Sequence, residues 1–518
     1  MFRYCDDLQE TVPDVNQPAA YDYSQRRYLS RFVPTSRLGM LLIVVAVAVV
    51  EPATTGMESA IMGSINSLPQ YKAYFGLTST NIGLNSASIW IGSILSLPFL
   101  QKTSDGIGRR MTILCAIVLM VIGIAISAAS VNMAMFIIGR IFLGLAAGLI
   151  NCSASVLVAE ICPLEIRGWV LGLFHSCYYV GSLIASGVTY GSRDLQSNWS
   201  WRIPTIIQVV PSLTCASLVL FTPESPRWLV MKGRVDEARE IFYTLQRNDA
   251  GSADFMVAEV ERSLREEAAA SKGYGVWRRQ LHSRAYWKRA FIMLNIGLLC
   301  ELGGSNIATY YFTILLEQIG VKDAKTQLKV NMLRSAWCLV CALIGCYTFD
   351  IIGRKRQAFL ATTGLIECLF ILGGLIKKYG GSDDKSGGYA AIAMVFMFTG
   401  FYSYCYTPIT SVYPPELYPS PTRVVGNTIM RGCDYSAGLF ATFMLPIGMS
   451  NLGWKFYMLT GGYDIIFLPL IAFVWVETNG VPLEKICELF GEVSETESPS
   501  IDDESNINYV EVPVADKQ

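Results

Sequence analysis

The sequence predicts an all-α membrane protein whose twelve transmembrane helices form two six-helix halves, with short cytosolic helices between them. Three observations carry this prediction: a composition suited to lipid, twelve apolar stretches long enough to cross a bilayer, and polar signatures that occur once in each half. Of 518 residues, 52% are apolar and 16% charged, against about 45–50% and about 25% in soluble domains. Hydrocarbon is the solvent for most of such a chain. The 41 basic and 42 acidic residues nearly cancel, so no excess of charge points to nucleic acid. Fourteen cysteines are scattered through apolar runs and read as small apolar side chains. Two histidines leave little from which to build a His-ligated metal site. No cofactor is implied, and no nucleophile with its base or phosphate loop marks an enzyme.

The elements follow in order. Residues 1–37 are polar, lack the apolar core of a signal peptide, and read as a cytosolic tail. A span needs about 20 apolar residues to cross about 30 Å. The first half, 38–222, holds spans near 38–62, 80–100, 111–130, 134–158, 168–190 and 201–222. Residues 223–288 form a polar linker in which Val235–Leu245 and Val257–Leu264 alternate apolar and charged positions at helical spacing, as amphipathic cytosolic helices do. The second half, 289–476, holds spans near 289–318, 328–350, 356–377, 390–413, 426–448 and 455–476. Residues 477–518 end in an acidic, Ser-rich tail expected to be disordered. Lys102, Arg109, Arg110, Arg167, Arg354, Lys355 and Arg356 fall on the side expected to be cytosolic. Lys322, Lys325, Lys329, Lys377 and Lys378 fall on the other. The charge bias therefore favours cytosolic termini, and the plasma membrane is the expected location. A glycosylation sequon at Asn198 stands against the start of a span.

Two signatures repeat with their internal offsets intact. Asp105-Gly-Ile-Gly-Arg109 returns as Asp350-Ile-Ile-Gly-Arg354, displaced by 245 residues. Glu160, Pro163 and Arg167 return as Glu416, Pro419 and Arg423, displaced by 256. Both displacements are close to half the chain, the mark of two fused halves. Charged groups at cytosolic helix ends can pair between neighbouring helices and with exposed helix termini. Asp105, Arg109, Arg110, Glu160, Arg167, Asp350, Arg354, Glu416 and Arg423 are thus expected to latch one half against the other in one conformation, together with Glu224 and Arg227 of Pro223-Glu-Ser-Pro-Arg-Trp-Leu229.

With Gly139-Arg140, Tyr310-Tyr311, Pro408, Tyr413-Pro-Pro-Glu416 and Glu477-Thr-Asn-Gly480 added, the chain closely resembles the sugar porter family of the major facilitator superfamily over almost all of 38–485. Ile61–Tyr71 and the Tyr-Pro-x-Glu at 413–416 are similar to the fungal branch of lactose and cellodextrin permeases. The resemblance implies alternating-access transport of a small polar solute of carbohydrate type, with protons and the lipid bilayer as the other partners.

Candidate site residues come from the spans read beside that resemblance. Glu58 is an acid at membrane depth, following a stretch, Glu51–Gly56, that a proline and a glycine are expected to loosen. In proton-coupled relatives an aspartate at the matching place accepts the proton and pairs with an arginine that here matches Arg140. His175 matches a sugar-binding glutamine, and imidazole can donate and accept as an amide does. Asn306 matches a family asparagine and shares a helix face with Tyr310 at i,i+4. The family's adjacent glutamines are here Cys300 and Glu301, a pocket tryptophan is Ser411, and a usual amide is Asp434, with Arg431 at i−3. Glu301, Arg431 and Asp434 are expected to form a polar cluster that sets solute choice. The reading is a proton symporter of a sugar, disaccharide or polyol. A carrier or exporter of a non-sugar metabolite and a non-transporting nutrient receptor on the same fold are the alternatives.

Overall fold

The computed structural model describes residues 28–273, 284–321, 323–380, 385–418, 423–479, 481, 486, 489 and 490. Twelve long helical segments stand where the sequence places spans. In the first half they are α1 (Arg37–Ile65), α2 (Ser79–Ile107), α3 (Arg109–Ala128), α4 (Met133–Ile161), α5 (Glu165–Ser192) and α6 (Trp199–Phe221). In the second they are α7 (Arg284–Tyr310), α8 (Ala324–Ile352), α9 (Arg354–Tyr379), α10 (Lys385–Leu417), α11 (Arg423–Leu452) and α12 (Trp454–Phe473). Among the described residues, eleven are both long and apolar enough to cross a membrane. The twelfth, α11, has the length at 30 residues but is less apolar, since it carries Arg431 and Asp434. No strand occurs among the described residues.

Helix starts are fixed by side-chain oxygens that accept otherwise unpaired N–H groups. Ser36 accepts from Gly39 N at 3.1 Å, Asn132 from Met135 N at 2.9 Å, and Asp323 from Thr326 N at 3.0 Å.

Packing repeats with a period of six helices. In the first half α2 and α3 pack on α4, α1 on α5, and α3 on α6. In the second, α8 and α9 pack on α10, α7 on α11, and α9 on α12. The halves meet reciprocally, α2 against α11 and α8 against α5. Small residues permit the closest crossings. A Cβ added to Gly144 would stand 1.9 Å from the Ile89 carbonyl oxygen, and one on Gly345 would stand 1.9 Å from that of Tyr404.

Between the halves run the helices Pro226–Met231, Val235–Leu245 and Ala250–Gly273. The apolar side of the first two joins the core of the first half, where Leu229, Ala238 and Ile241 are fully buried with Ile117 and Leu157. This end of the bundle is the linker face, and the opposite end is the far face.

One local expectation is corrected. α1 is a continuous helix through Pro52 and Gly56. Gly56 serves packing, since a Cβ there would stand 1.9 Å from the Tyr178 carbonyl oxygen of α5, and a neighbour so close holds the helix in place. A break with a left-handed residue falls in α7. Leu302 ends its first segment, Gly304 is left-handed (φ 88°) before Ser305–Tyr310, and Phe312–Ile319 continues as a separate helix. The acidic tail lies outside the described residues.

Candidate functional site

A cavity of about 250 Å³ lies between the halves. Its walls come from α1, α2, α4 and α5 on one side and α7, α8, α10 and α11 on the other, so the sixfold helix repeat holds for the site as well. Glu58, His175, Glu301, Asn306, Tyr310 and Asp434 all stand on the wall, with Arg431 beside Asp434. Ser411 is carried by α10, but its side chain lies outside the described residues.

Glu58 is 2% exposed and neither carboxyl oxygen has a hydrogen-bond partner. The expected pair with Arg140 is not made in this conformation. Arg140, also 2% exposed, keeps Nε and Nη2 without a partner. Glu58 is on the cavity wall and Arg140 is not, although the arginine's charge still acts on the carboxyl. His175 presents a buried Nδ1 that has no partner. Asn306 Nδ2 donates to Glu301 Oε2 at 2.8 Å. Arg431 reaches Asp434 at 3.6 Å and donates to Asn151 Oδ1 of α4 at 3.3 Å. The cluster of Glu301, Arg431 and Asp434 is therefore brought to one cavity, with each acid satisfied by a different neighbour.

Several wall residues escape the sequence reading. On α10, Thr399, Ser403 and Thr407, and beside them Tyr402, Tyr406 and Thr410, recur every fourth residue and face the cavity. That polar stripe on an apolar helix was available as a signal. Tyr179 Oη on α5 accepts from Ser403 Oγ at 2.7 Å and lies 3.2 Å from Thr407 Oγ1, linking the halves. Arg334 on α8 donates to Asn331 Oδ1 at 2.9 and 3.2 Å, and Asn331 in turn donates to Ser64 and Ser186 of the first half. Glu51 and Asp464 are further buried acids whose oxygens lack partners.

On the far side of the cavity the halves are joined. Ser67 of the α1–α2 connection lies 2.6 Å from Thr313, whose hydroxyl also donates to the Gly63 carbonyl at 3.2 Å. Lys72 pairs with Glu317 at 3.0 Å.

At the linker face the duplicated signatures form two matching networks. Arg109 pairs with Asp105 at 3.2 Å and Glu160 at 3.3 Å, while Arg354 pairs with Asp350 at 3.0 Å and Glu416 at 2.7 Å. A third member on each side was not foreseen as a counterpart. Glu224 accepts from Arg109 N at 3.0 Å and Arg110 N at 3.2 Å, capping α3. Glu477 accepts from Arg354 N at 2.8 Å and Lys355 N at 3.1 Å, capping α9. Ser225 donates to Glu160, and Thr478 donates to Glu416 at 2.5 Å. Burial raises the Glu224 carboxyl above the usual range against the pull of those N–H groups. Arg110 donates to the Leu220 carbonyl at 2.6 Å, and Arg167 to that of Cys162 at 3.3 Å. Arg227 sits in Pro226–Met231, and the side chain of Arg423 lies outside the described residues.

The expected latch across the halves is therefore corrected for this conformation: the ion pairs of Arg109 and Arg354 close within their own halves. The reason is local: each arginine finds two acids of its own half, and the first N–H groups of α3 and α9 are taken by Glu224 and Glu477, which directly follow the last span of the same half.

Two six-helix halves enclose this cavity, and the family match makes the chain a multi-pass membrane transporter rather than an enzyme. Residues 44–490 match the family described as Sugar (and other) transporter, and the chain belongs to it. It is 28% identical over 440 residues to the MFS-type transporter criB of Aspergillus cristatus, covering 84% of this chain and 90% of that one. It is 26% identical over 459 residues to high-affinity glucose transporter 1 of Candida albicans, covering 84% and 83%. Its fold is similar to that of the MFS proton:xylose symporter XylE of E. coli bound to 6-bromo-6-deoxy-D-glucose, with a TM-score of 0.74 and 21% identity over 88% of this chain and 100% of that one.

Proposed function

We propose that this chain carries a sugar, disaccharide or polyol across the membrane by alternating access, in symport with a proton that Glu58 binds. The observation that carries the reading is Glu58 itself, a carboxyl on the wall of a hydroxyl-lined cavity between two halves, with no hydrogen-bond partner. An ionised acid so placed is costly, whereas a protonated one is not. The proton and the solute then favour the same conformation, and loss of the proton lets the carboxylate turn to Arg140. Relatives named as a glucose transporter and a proton:xylose symporter support the solute class and the coupling. In this reading the moving bodies are residues 38–222 and 289–476, and the linker-face networks hold each rigid. His175, Asn306 and Tyr310 meet solute hydroxyls. The motifs at 61–71 and 413–416 favour the fungal lactose and cellodextrin branch, and the charge bias favours the plasma membrane with cytosolic termini.

One observation favours a second reading, a carrier of a non-sugar metabolite: Glu301 and Asp434 put two acids on the wall where the resemblance implies amides. Uptake of a labelled panel of hexoses, pentoses, disaccharides, polyols and amine-bearing or acidic derivatives into proteoliposomes, with and without an inward proton gradient, separates the two. Gradient-dependent accumulation of a neutral sugar or polyol is expected. Accumulation of charged derivatives alone, lost in Glu301→Gln/Asp434→Asn, would establish the second reading. Equal uptake with and without the gradient would remove the proton.

A further inference from the structure

Glu51 is an acid that the proposed cycle does not use. It lies in α1 with no exposed surface, and neither carboxyl oxygen has a hydrogen-bond partner. Glu58 follows seven residues later, two helical turns and about 10 Å along the same face. Thr55 stands between them on that face, at i+4 from Glu51, and lines the cavity as Glu58 does. Because α1 begins at the linker face, Glu51 is the one of the two acids nearer to it.

The ionisable groups around Glu51 are Arg431 and Tyr435 of α11, Cys152 of α4 and Cys215 of α6. Arg431 is the only cation among them. It also stands on the cavity wall, where it holds Asn151 and Asp434. That positive charge, shared between the cavity and the space behind its wall, offsets part of what burial costs an ionised carboxyl at Glu51.

We propose that Glu51 is a second proton-binding site, which receives the proton that Glu58 releases. The Ser67–Thr313 and Lys72–Glu317 contacts join the halves on the far side of the cavity, and Glu51 lies on the other, linkerward side of Glu58. The proton leaves the Glu58 carboxyl and adds to the Glu51 carboxylate by way of cavity water and the Thr55 hydroxyl, which must turn from the Pro52 carbonyl to which it donates at 2.9 Å here. Glu58 is left ionised, under the charge of Arg140, and Arg431 keeps its contacts with Asp434 and Asn151.

The inference rests on the proton-coupling reading, and the test separates the two. In proteoliposomes, using the labelled compound that the wild type accumulates from the panel above, Glu51→Gln should lower the gradient-driven accumulation ratio by about tenfold or more. Solute counterflow, which needs no net proton movement, should stay close to the wild-type rate. Glu51→Asp keeps a carboxyl and should restore most of the accumulation. If Glu58→Gln uncouples transport while Glu51→Gln accumulates as the wild type does, the relay is wrong and the coupling stands. If Glu58→Gln still accumulates solute, or the wild type accumulates nothing, both fall. Should Glu51→Gln not fold, infrared difference spectra of the wild type and Glu51→Asp decide. A protonated-carboxyl band that responds to pH and moves in Glu51→Asp is expected, and no such band would overturn the relay.

Discussion

His175 is a single side chain whose surroundings suit it to bind solute. A histidine in a helix ordinarily finds a partner or packs in apolar contact, yet here the buried Nδ1 has no partner and the ring borders the cavity. A solute hydroxyl would complete it. His175→Ala should weaken solute binding by about 1–2 kcal/mol, the worth of a buried hydrogen bond, and His175→Gln should keep most of the affinity because an amide offers the same donor and acceptor. Isothermal titration of the purified variants reads both, and unchanged affinity in each would leave the residue to packing. Glu58, Glu301, Asn306 and Asp434, which line the cavity, were conspicuous in the sequence because an acid or amide inside an apolar span stands out. Tyr178, Tyr402 and Arg334 were not. A tyrosine in a membrane helix reads equally as packing or as an interfacial anchor, and Arg334 is held by an asparagine only three residues away.

At the scale of elements, the junctions α2–α3 and α8–α9 are built alike. Gly108 (φ 102°) and Gly353 (φ 95°) sit in the left-handed region between consecutive helices. A Cβ at Gly108 would stand 2.5 Å from Glu224 Oε2, and one at Gly353 would stand 2.6 Å from Glu477 Oε2. Glycine is thus required twice over, by backbone conformation and by the carboxylate that caps the next helix. Gly108→Ala and Gly353→Ala should each destabilise the folded protein by about 1–3 kcal/mol, read as a lowered melting temperature in detergent. An unchanged melting temperature in either would show that the carboxylate moves aside at no cost. The spans themselves were legible within a few residues, because length and hydropathy define them. The Glu224 and Glu477 caps were not legible as a pair, since Pro223-Glu-Ser and Glu477-Thr-Asn share only the acid and a following hydroxyl. The breaks in α7 and the unbroken α1 also went the other way from expectation, because a proline or glycine marks a weak point without saying whether a neighbour will brace it.

For the whole molecule, the repeat read from two short signatures extends to the helix pairs, the cavity walls and the linker-face networks. At the far face the halves are joined through Ser67–Thr313 and Lys72–Glu317. Alternating access requires those contacts to part. A Ser67→Cys/Thr313→Cys variant should therefore form a disulfide under oxidation that stops transport, and reduction should restore it. Transport by the oxidised, fully cross-linked protein would mean that this face need not open. The proton's part is tested most directly by the proton flux that solute itself provokes. In proteoliposomes without an imposed gradient, adding the accumulated compound should acidify the lumen for the wild type. Glu58→Gln should give no such acidification while still exchanging solute, and solute-driven acidification of wild-type size in Glu58→Gln would contradict the account.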